Sequence, residues 1–186
     1  MMPYSPDSGP LLLALARGAI AARLGTPATP VADSPFLREP GASFVTLTCE
    51  GALRGCIGSL EAHRPLADDV RENALAAAFR DPRFAPLSAR EWPAVRIEVS
   101  LLGPREPLAV SSEREAIAAL APGVDGVVLT AGTQRATFLP QVWEQLPDPA
   151  EFLARLRSKA GLGAAAWSAD WQLERYRVQK WKESEG

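Results

Sequence analysis

The chain has 186 residues, 47% of them hydrophobic and 23% charged, with a formal net charge of -2. These values describe a water-soluble globular fold of one domain or two closely packed halves, large enough to bury a core without a metal or disulfide staple. They supply no global basic field to collect nucleic acid, and two cysteines with one histidine cannot assemble a four-ligand structural zinc site from Cys and His alone.

The run LLLALARGAIAARL reads as an amphipathic helix over residues 9–24. Ser8 is placed to cap it, Pro10 suits its first turn, and Leu13, Ala16, Ile20 and Leu24 share one face. Arg17 interrupts the apolar run, which is too short to span a membrane, and no targeting segment is expected. Pro27, Pro30, Pro35 and Pro40 make the next stretch a loop.

SFVTLTCEGALRGCIGSL reads as two strands around a Glu50-Gly51 turn. Pro65 then opens a helix that runs to about Phe79, with Leu66, Val70, Asn73 and Ala77 on its apolar stripe. Asn73 needs polar partners if that stripe is buried. Asp81-Pro82 stops the helix. VRIEVSLL (95–102) alternates as a strand, and Ser112 to Glu115 has the spacing of a capping box for a short helix. GVVLTAGTQRATFL reads as a second hairpin. Asp148, Pro149 and Glu151 begin a helix that Gly161 is placed to end, with Phe152, Leu153, Leu156 and Ala160 on its buried side. LERYRVQKW reads as one closing strand.

The order is hairpin, helix, strand, then the same again about 80 residues later. It predicts an α+β fold of two β-β-α-β repeats sharing one mainly antiparallel sheet with flanking helices. Arg54 with Cys56 then parallels Arg135 with Thr137.

RGCIG is the stretch that carries chemistry. Alternation puts Arg54 and Cys56 on one strand face. Glycine costs about 0.5–1 kcal/mol in a strand interior, so Gly55 and Gly58 need compensation from a bulge, a ligand or another backbone at close approach. A nearby guanidinium favours a thiolate and makes Cys56 a nucleophile; the competing reading is a small buried hydrophobe. His63 serves as a base only if the turn at 61–64 folds back. Arg80 and Arg83 suit a helix C-terminus as well as an anion. The phosphate-cradling, dinucleotide and zincin motifs are all absent, and no metal or cofactor is expected.

LRGCIGSLEAHRPLADDVRENALAAAFRDPRFAPLSAREW, then IEVSLLGP, ATFLPQVWEQLPDPAEFLARLRSKAGL and a closing RY together closely resemble the AMMECR domain family. Its bacterial members are called AmmeMemoRadiSam system protein A. The resemblance implies a single cytoplasmic domain over residues 1–186, with internal halves near 43–105 and 106–181 around a barrel-like sheet. It also implies two cassette partners, a Memo-like protein and a radical SAM protein. The family hallmark falls on Arg54, Gly55, Cys56, Ile57 and Gly58, with no established reaction attached. The expected function is handling of a small-molecule or modification substrate in a cleft lined by this strand. Cys56 and Arg54 are the candidate catalytic residues, and Gly55, Gly58 and Arg135 the candidate ligand contacts. A non-enzymatic adaptor and an RNA-modification protein are the alternatives.

Overall fold

A computed structural model describes residues 4, 5, 7–163 and 167–184. The chain divides into two compact units. One runs up to Leu102 and resumes at Gln179; the other is the continuous segment Gly103–Val178.

In the first unit, α1 (Ser8–Leu24) is followed by a loop carrying a 3-10 turn (Pro35–Leu37), then β1 (Ser43–Cys49), β2 (Ala52–Gly58), α2 (Leu66–Phe79) and β3 (Val95–Leu102). The last strand, β8 (Val178–Lys182), returns beside β3, giving a four-stranded sheet of order β2-β1-β3-β8. The β1–β2 turn is the expected one: Glu50 and Gly51 both have positive φ (52° and 79°), as a two-residue hairpin turn with matching twist requires. One face of the sheet is apolar by alternation. Val45, Leu47, Ile97 and Val99 are fully buried there, against Leu12 and Ile20 of α1 and Val70 and Ala74 of α2. Each such side chain contributes about 1.5–3 kcal/mol on leaving water.

The face of α1 differs in detail from the sequence reading. Leu12, Leu15, Ala16, Ile20 and Ala21 are its residues in the core, Leu13 and Leu24 only flank it, and Ser8 is buried inside the helix rather than capping it. Gly25 ends it in the left-handed conformation (φ 73°).

Asn73 finds its partners in a buried polar knot at the C-terminal end of β2. Its Nδ2 donates to the Ser43 carbonyl (3.0 Å), Ser59 Oγ (3.1 Å) and Asp69 Oδ2 (3.0 Å). Asp69, fully buried one turn earlier on α2, also accepts from Ser43 N (2.8 Å), Ser43 Oγ (2.7 Å), Ser59 Oγ (2.7 Å) and Arg64 Nε (2.8 Å). The knot fastens the open end of the hairpin to α2 and so fixes where the signature strand lies.

In the second unit, β4 (Glu106–Leu108) and α3 (Glu113–Ala119) precede β5 (Gly126–Ala131) and β6 (Gln134–Phe138). A 3-10 segment (Pro140–Glu144), α4 (Pro149–Lys159) and β7 (Gln172–Tyr176) follow, and the sheet order is β4-β7-β5-β6. The expected caps form. Ser112 Oγ accepts from Glu115 N (3.3 Å), and Asp148 Oδ1 accepts from Ala150 N (3.0 Å). The returning carboxylate of Glu115 lands on Ser111 (N at 2.7 Å) rather than on the cap residue itself. Phe152, Leu153, Leu156 and Ala160 are all buried. Trp143 stacks on Phe152 (centroids 3.7 Å apart, planes 4° apart) while its Nε1 donates to the Asp125 carbonyl (2.7 Å).

The α+β class, the antiparallel strands and the flanking helices are as the sequence led us to expect. The strands, however, occupy two four-stranded sheets rather than one shared sheet. The expected closing strand is broken at Arg177, whose carbonyl accepts from Gly103 N at 2.7 Å and so leaves both ladders. Its first half completes one sheet as β7 and its second half the other as β8. The chain thus runs α-β-β-α-β-β twice, and the sixth element of each run pairs in the sheet of the other run.

Among the described residues no helix is long and apolar enough to cross a membrane.

Candidate functional site

The signature strand β2 is an edge strand, and its register against β1 contains a bulge. Thr48 pairs with Leu53 and Leu47 with Gly55, so Arg54 is the extra residue. Bulges at sheet edges re-aim a side chain. Here Arg54 is turned onto the segment that follows α2: its Nε donates to Glu91 Oε1 (2.8 Å), and its Nη2 donates to the Ala85 carbonyl (2.9 Å) and Glu91 Oε2 (3.3 Å). Its side chain is only 13% exposed.

The space vacated by the two glycines is taken by the protein itself. A Cβ on Gly55 would lie 2.1 Å from the Ala77 carbonyl oxygen, because the backbone of α2 rests directly on this residue. A Cβ on Gly58 would lie 2.2 Å from the Phe44 ring, and Phe44 is its direct partner across the ladder. The compensation demanded by two strand glycines is therefore a bulge, a helix backbone and a cross-strand aromatic.

Cys56 is partly exposed and faces Thr46, whose Oγ1 lies 3.3 Å from the sulfur. Its backbone points outward from the sheet edge. Asp81 Oδ2 accepts from Cys56 N (2.9 Å), and Arg83 Nη2 donates to the Cys56 carbonyl (3.3 Å). Asp81, 3% exposed, grips Arg83 through its N (3.1 Å), Nε (3.0 Å) and Nη2 (2.7 Å). The hydrogen bond from Arg83 holds the Asp81 carboxyl well below the usual carboxylate range, and the same bond raises Arg83. Asp-Pro-Arg after α2 thus covers the outward groups of an edge strand that would otherwise invite pairing. Phe84 lies under both guanidinium groups, 5.8 Å from that of Arg54 and 5.4 Å from that of Arg83.

Sequence reasoning placed Asp81 as a helix stop and Arg83 as a helix-end cation, and missed both as partners of Cys56. The available signal was the i, i+2 spacing, which lets an aspartate accept the N–H two residues on. Arg135 is exposed on β6, in the second unit. Register equates it with Leu53 rather than with Arg54, since it pairs with Thr130 as Leu53 pairs with Thr48; Thr137 does match Cys56. His63 is exposed and its Nδ1 sits 2.9 Å from the Glu61 carbonyl. Cys49 pairs with Ala52 at the hairpin end, and both thiols are free. No group of three His, Cys, Asp or Glu that could hold a metal occurs among the described residues.

Glu91 is the second acid of the site. Hydrogen bonds from Arg54 first, then from the backbone and hydroxyl of Ser88, lower it from an ordinary 4.5 to about 2. A depressed folded-state value means that its stabilisation is complete above 4.5 and is lost as pH falls toward 2. In acid unfolding, Glu91→Gln is expected to flatten the pH dependence of stability across that window relative to wild type. An unchanged slope would show that the pair with Arg54 does not form in solution.

The AMMECR1 family profile matches residues 13–181, and the chain belongs to that family. It is 40% identical to a protein of Methanothermobacter thermautotrophicus over 164 residues, covering 86% of this chain and 85% of the relative. A Thermotoga maritima protein is 38% identical over 154 residues, covering 82% and 83%. The crystal structure of uncharacterized protein PH0010 from Pyrococcus horikoshii superposes with a TM-score of 0.78 at 31% identity, covering 96% of this chain and 93% of the other.

Proposed function

We propose that this AMMECR1-type protein is component A of a three-protein cassette with a Memo-like protein and a radical SAM protein. In that cassette it handles a small-molecule or modification substrate at the face of β2 that carries Cys56. The observation that carries the reading is the setting of Cys56. A partly exposed sulfur beside a hydroxyl sits on a strand whose backbone is held at both outward groups by a buried aspartate and its arginine. Arg54, committed to Glu91, acts as a positioning residue for the strand. Arg83, whose side chain is 53% exposed, is the guanidinium able to meet an anionic substrate group. Cys56 serves either as the thiolate or as the wall against which the substrate packs.

Reconstitution with both partners tests the role. Cys56→Ser is expected to lower turnover by about 10³-fold or more, since removing the nucleophile of a catalytic unit costs several orders of magnitude. In the folded wild type, Cys56 is expected to label with a thiol reagent at neutral pH. Full turnover by the serine variant would eliminate the thiolate role.

An adaptor role without chemistry is the second reading. It is favoured by two large exposed apolar side chains flanking the Cys56 segment, Leu53 (45% exposed) near the start of β2 and Leu60 (39% exposed) two residues past its end. Leu53→Asp with Leu60→Asp would then abolish sedimentation with the partner proteins while leaving Cys56 labelling unchanged.

A further inference from the structure

Each unit carries a row of four side chains across one face of its sheet, and the two rows differ in kind at only one place. In the first unit, register sets Thr46 of β1 opposite Cys56 of β2 on one side and opposite Glu98 of β3 on the other, and Glu98 Oε1 lies 4.0 Å from Lys180 Nζ. In the second, Val128 of β5 stands between Thr137 of β6 and Glu174 of β7, and Glu174 Oε2 lies 4.0 Å from Arg105 Nη1. A cation also covers the edge-strand carbonyl in both, Arg83 at Cys56 (3.3 Å) and Lys159 at Thr137 (2.9 Å). The glutamates and cations are thus shared scaffold. What sets the first unit apart is the facing pair of Cys56 and Thr46, where the second has Thr137 and Val128.

Threonine and valine are both β-branched and both suit a strand, so the fold does not call for a hydroxyl at this place. In the second unit Thr137 Oγ1 pairs instead with Tyr176 OH (3.0 Å). In the first, Thr46 Oγ1 donates to Cys56 Sγ across 3.3 Å. We propose that Thr46 is the positioning residue of the cysteine, its hydroxyl aiming a hydrogen bond at the sulfur and favouring the thiolate over the thiol. A donor to the ionised form stabilises that form. This rests on the reading of Cys56 as the working residue, and of its two roles it selects the thiolate rather than the wall. Arg83 and Asp81 beside the Cys56 backbone, and Glu98 with Lys180 beyond Thr46, are the charged groups facing the pair. A change at Thr46 leaves all four in place.

Iodoacetamide, a neutral thiol reagent, is the probe, applied to the full chain alone from neutral to alkaline pH. Cleavage after Arg54 puts Cys49 and Cys56 on different peptides, so Cys49 is the internal reference. Valine is what the second unit carries at the matching position, so Thr46→Val is expected to keep the strand. At neutral pH it should slow alkylation of Cys56 about threefold or more. About a tenfold loss of thiolate, the scale of one charge-assisted hydrogen bond, is partly offset by the stronger nucleophilicity of the thiolate that remains. The deficit should vanish at alkaline pH, where the thiol is ionised in either protein. Thr46→Ser, which keeps the hydroxyl, should label as wild type does. A Thr46→Val variant matching wild type throughout, a deficit of equal size at every pH, or a serine variant as slow as the valine one would each overturn the proposal. These readings are separate from reconstituted turnover: full turnover by Cys56→Ser removes the chemistry of the site, whereas an unmoved labelling profile removes only the role of Thr46.

Discussion

Asp69→Ala is expected to cost the first unit about 3 kcal/mol or more, because it leaves several buried donors without their acceptor. Asp69 is fully buried and accepts from Ser43 N and Oγ, Ser59 Oγ, Arg64 Nε and Asn73 Nδ2. Its loss strands the Ser43 N–H in a site with 0% exposure and leaves the Arg64 charge without its counter-ion. Unpaired buried donors cost more than the bonds themselves are worth. Whole domains are stable by only about 5–15 kcal/mol, so this change removes a large share. Asp69→Asn should fall between, because Arg64 is 29% exposed and can turn to water. Asp68→Ala, one residue away with its side chain 60% exposed, is the control and should stay within about 0.5 kcal/mol. Urea unfolding followed at the amide signals of Val45, Leu47 and Val70, in the core of this unit, reads all three. If Asp69→Ala proved as mild as Asp68→Ala, the hairpin would have to be held by something other than this knot.

That residue also marks where sequence reading runs out. The local elements were legible because each depends on residues close together in the chain. Glu50-Gly51 supplies the positive φ of a tight hairpin, VRIEVSLL alternates, and Asp148 caps α4. Asn73 was legible as a polar intruder on an apolar stripe. Asp69 was not, because one acidic residue beside Asp68 in the first turn of a helix looks like ordinary pairing with the helix dipole. Only the serines at both open ends of the hairpin make it a core residue, and their proximity is a tertiary fact. The break at Arg177 was hidden for the same reason. LERYRVQKW reads as strand-forming from end to end, and although its apolar residues Leu173, Tyr176, Val178 and Trp181 do not keep one parity, nothing within it reveals that Gly103, some seventy residues earlier, takes the Arg177 carbonyl. At the signature, the sequence announced that two glycines had cleared space. It could not tell a ligand from a helix backbone as the occupant, since either needs the same absent Cβ.

Gly55→Ala tests that occupant directly and should destabilise by about 3 kcal/mol or more, at the upper end for overpacking a core. Gly55 is not among the glycines with positive φ, so the backbone conformation tolerates alanine and the objection is purely spatial. The new methyl would meet the Ala77 carbonyl oxygen at 2.1 Å and its carbon at 3.0 Å. No rotamer change relieves a clash with backbone, and Ala77→Gly should give no rescue. Gly58→Ala is the contrast. Its methyl meets the Phe44 ring, a side chain at a partly exposed position, so Phe44→Ala should recover much of the loss. The consequence for the site is that α2 ends at Phe79 and Asp81 follows two residues later. A helix pushed off Gly55 carries Asp81 and Arg83 away from the Cys56 N–H and carbonyl that they cover. Gly55→Ala should therefore speed the labelling of Cys56 under conditions where the protein remains folded, with no comparable change at Cys49. A stable variant with unaltered labelling would mean that the close approach of helix and strand does not position the cysteine.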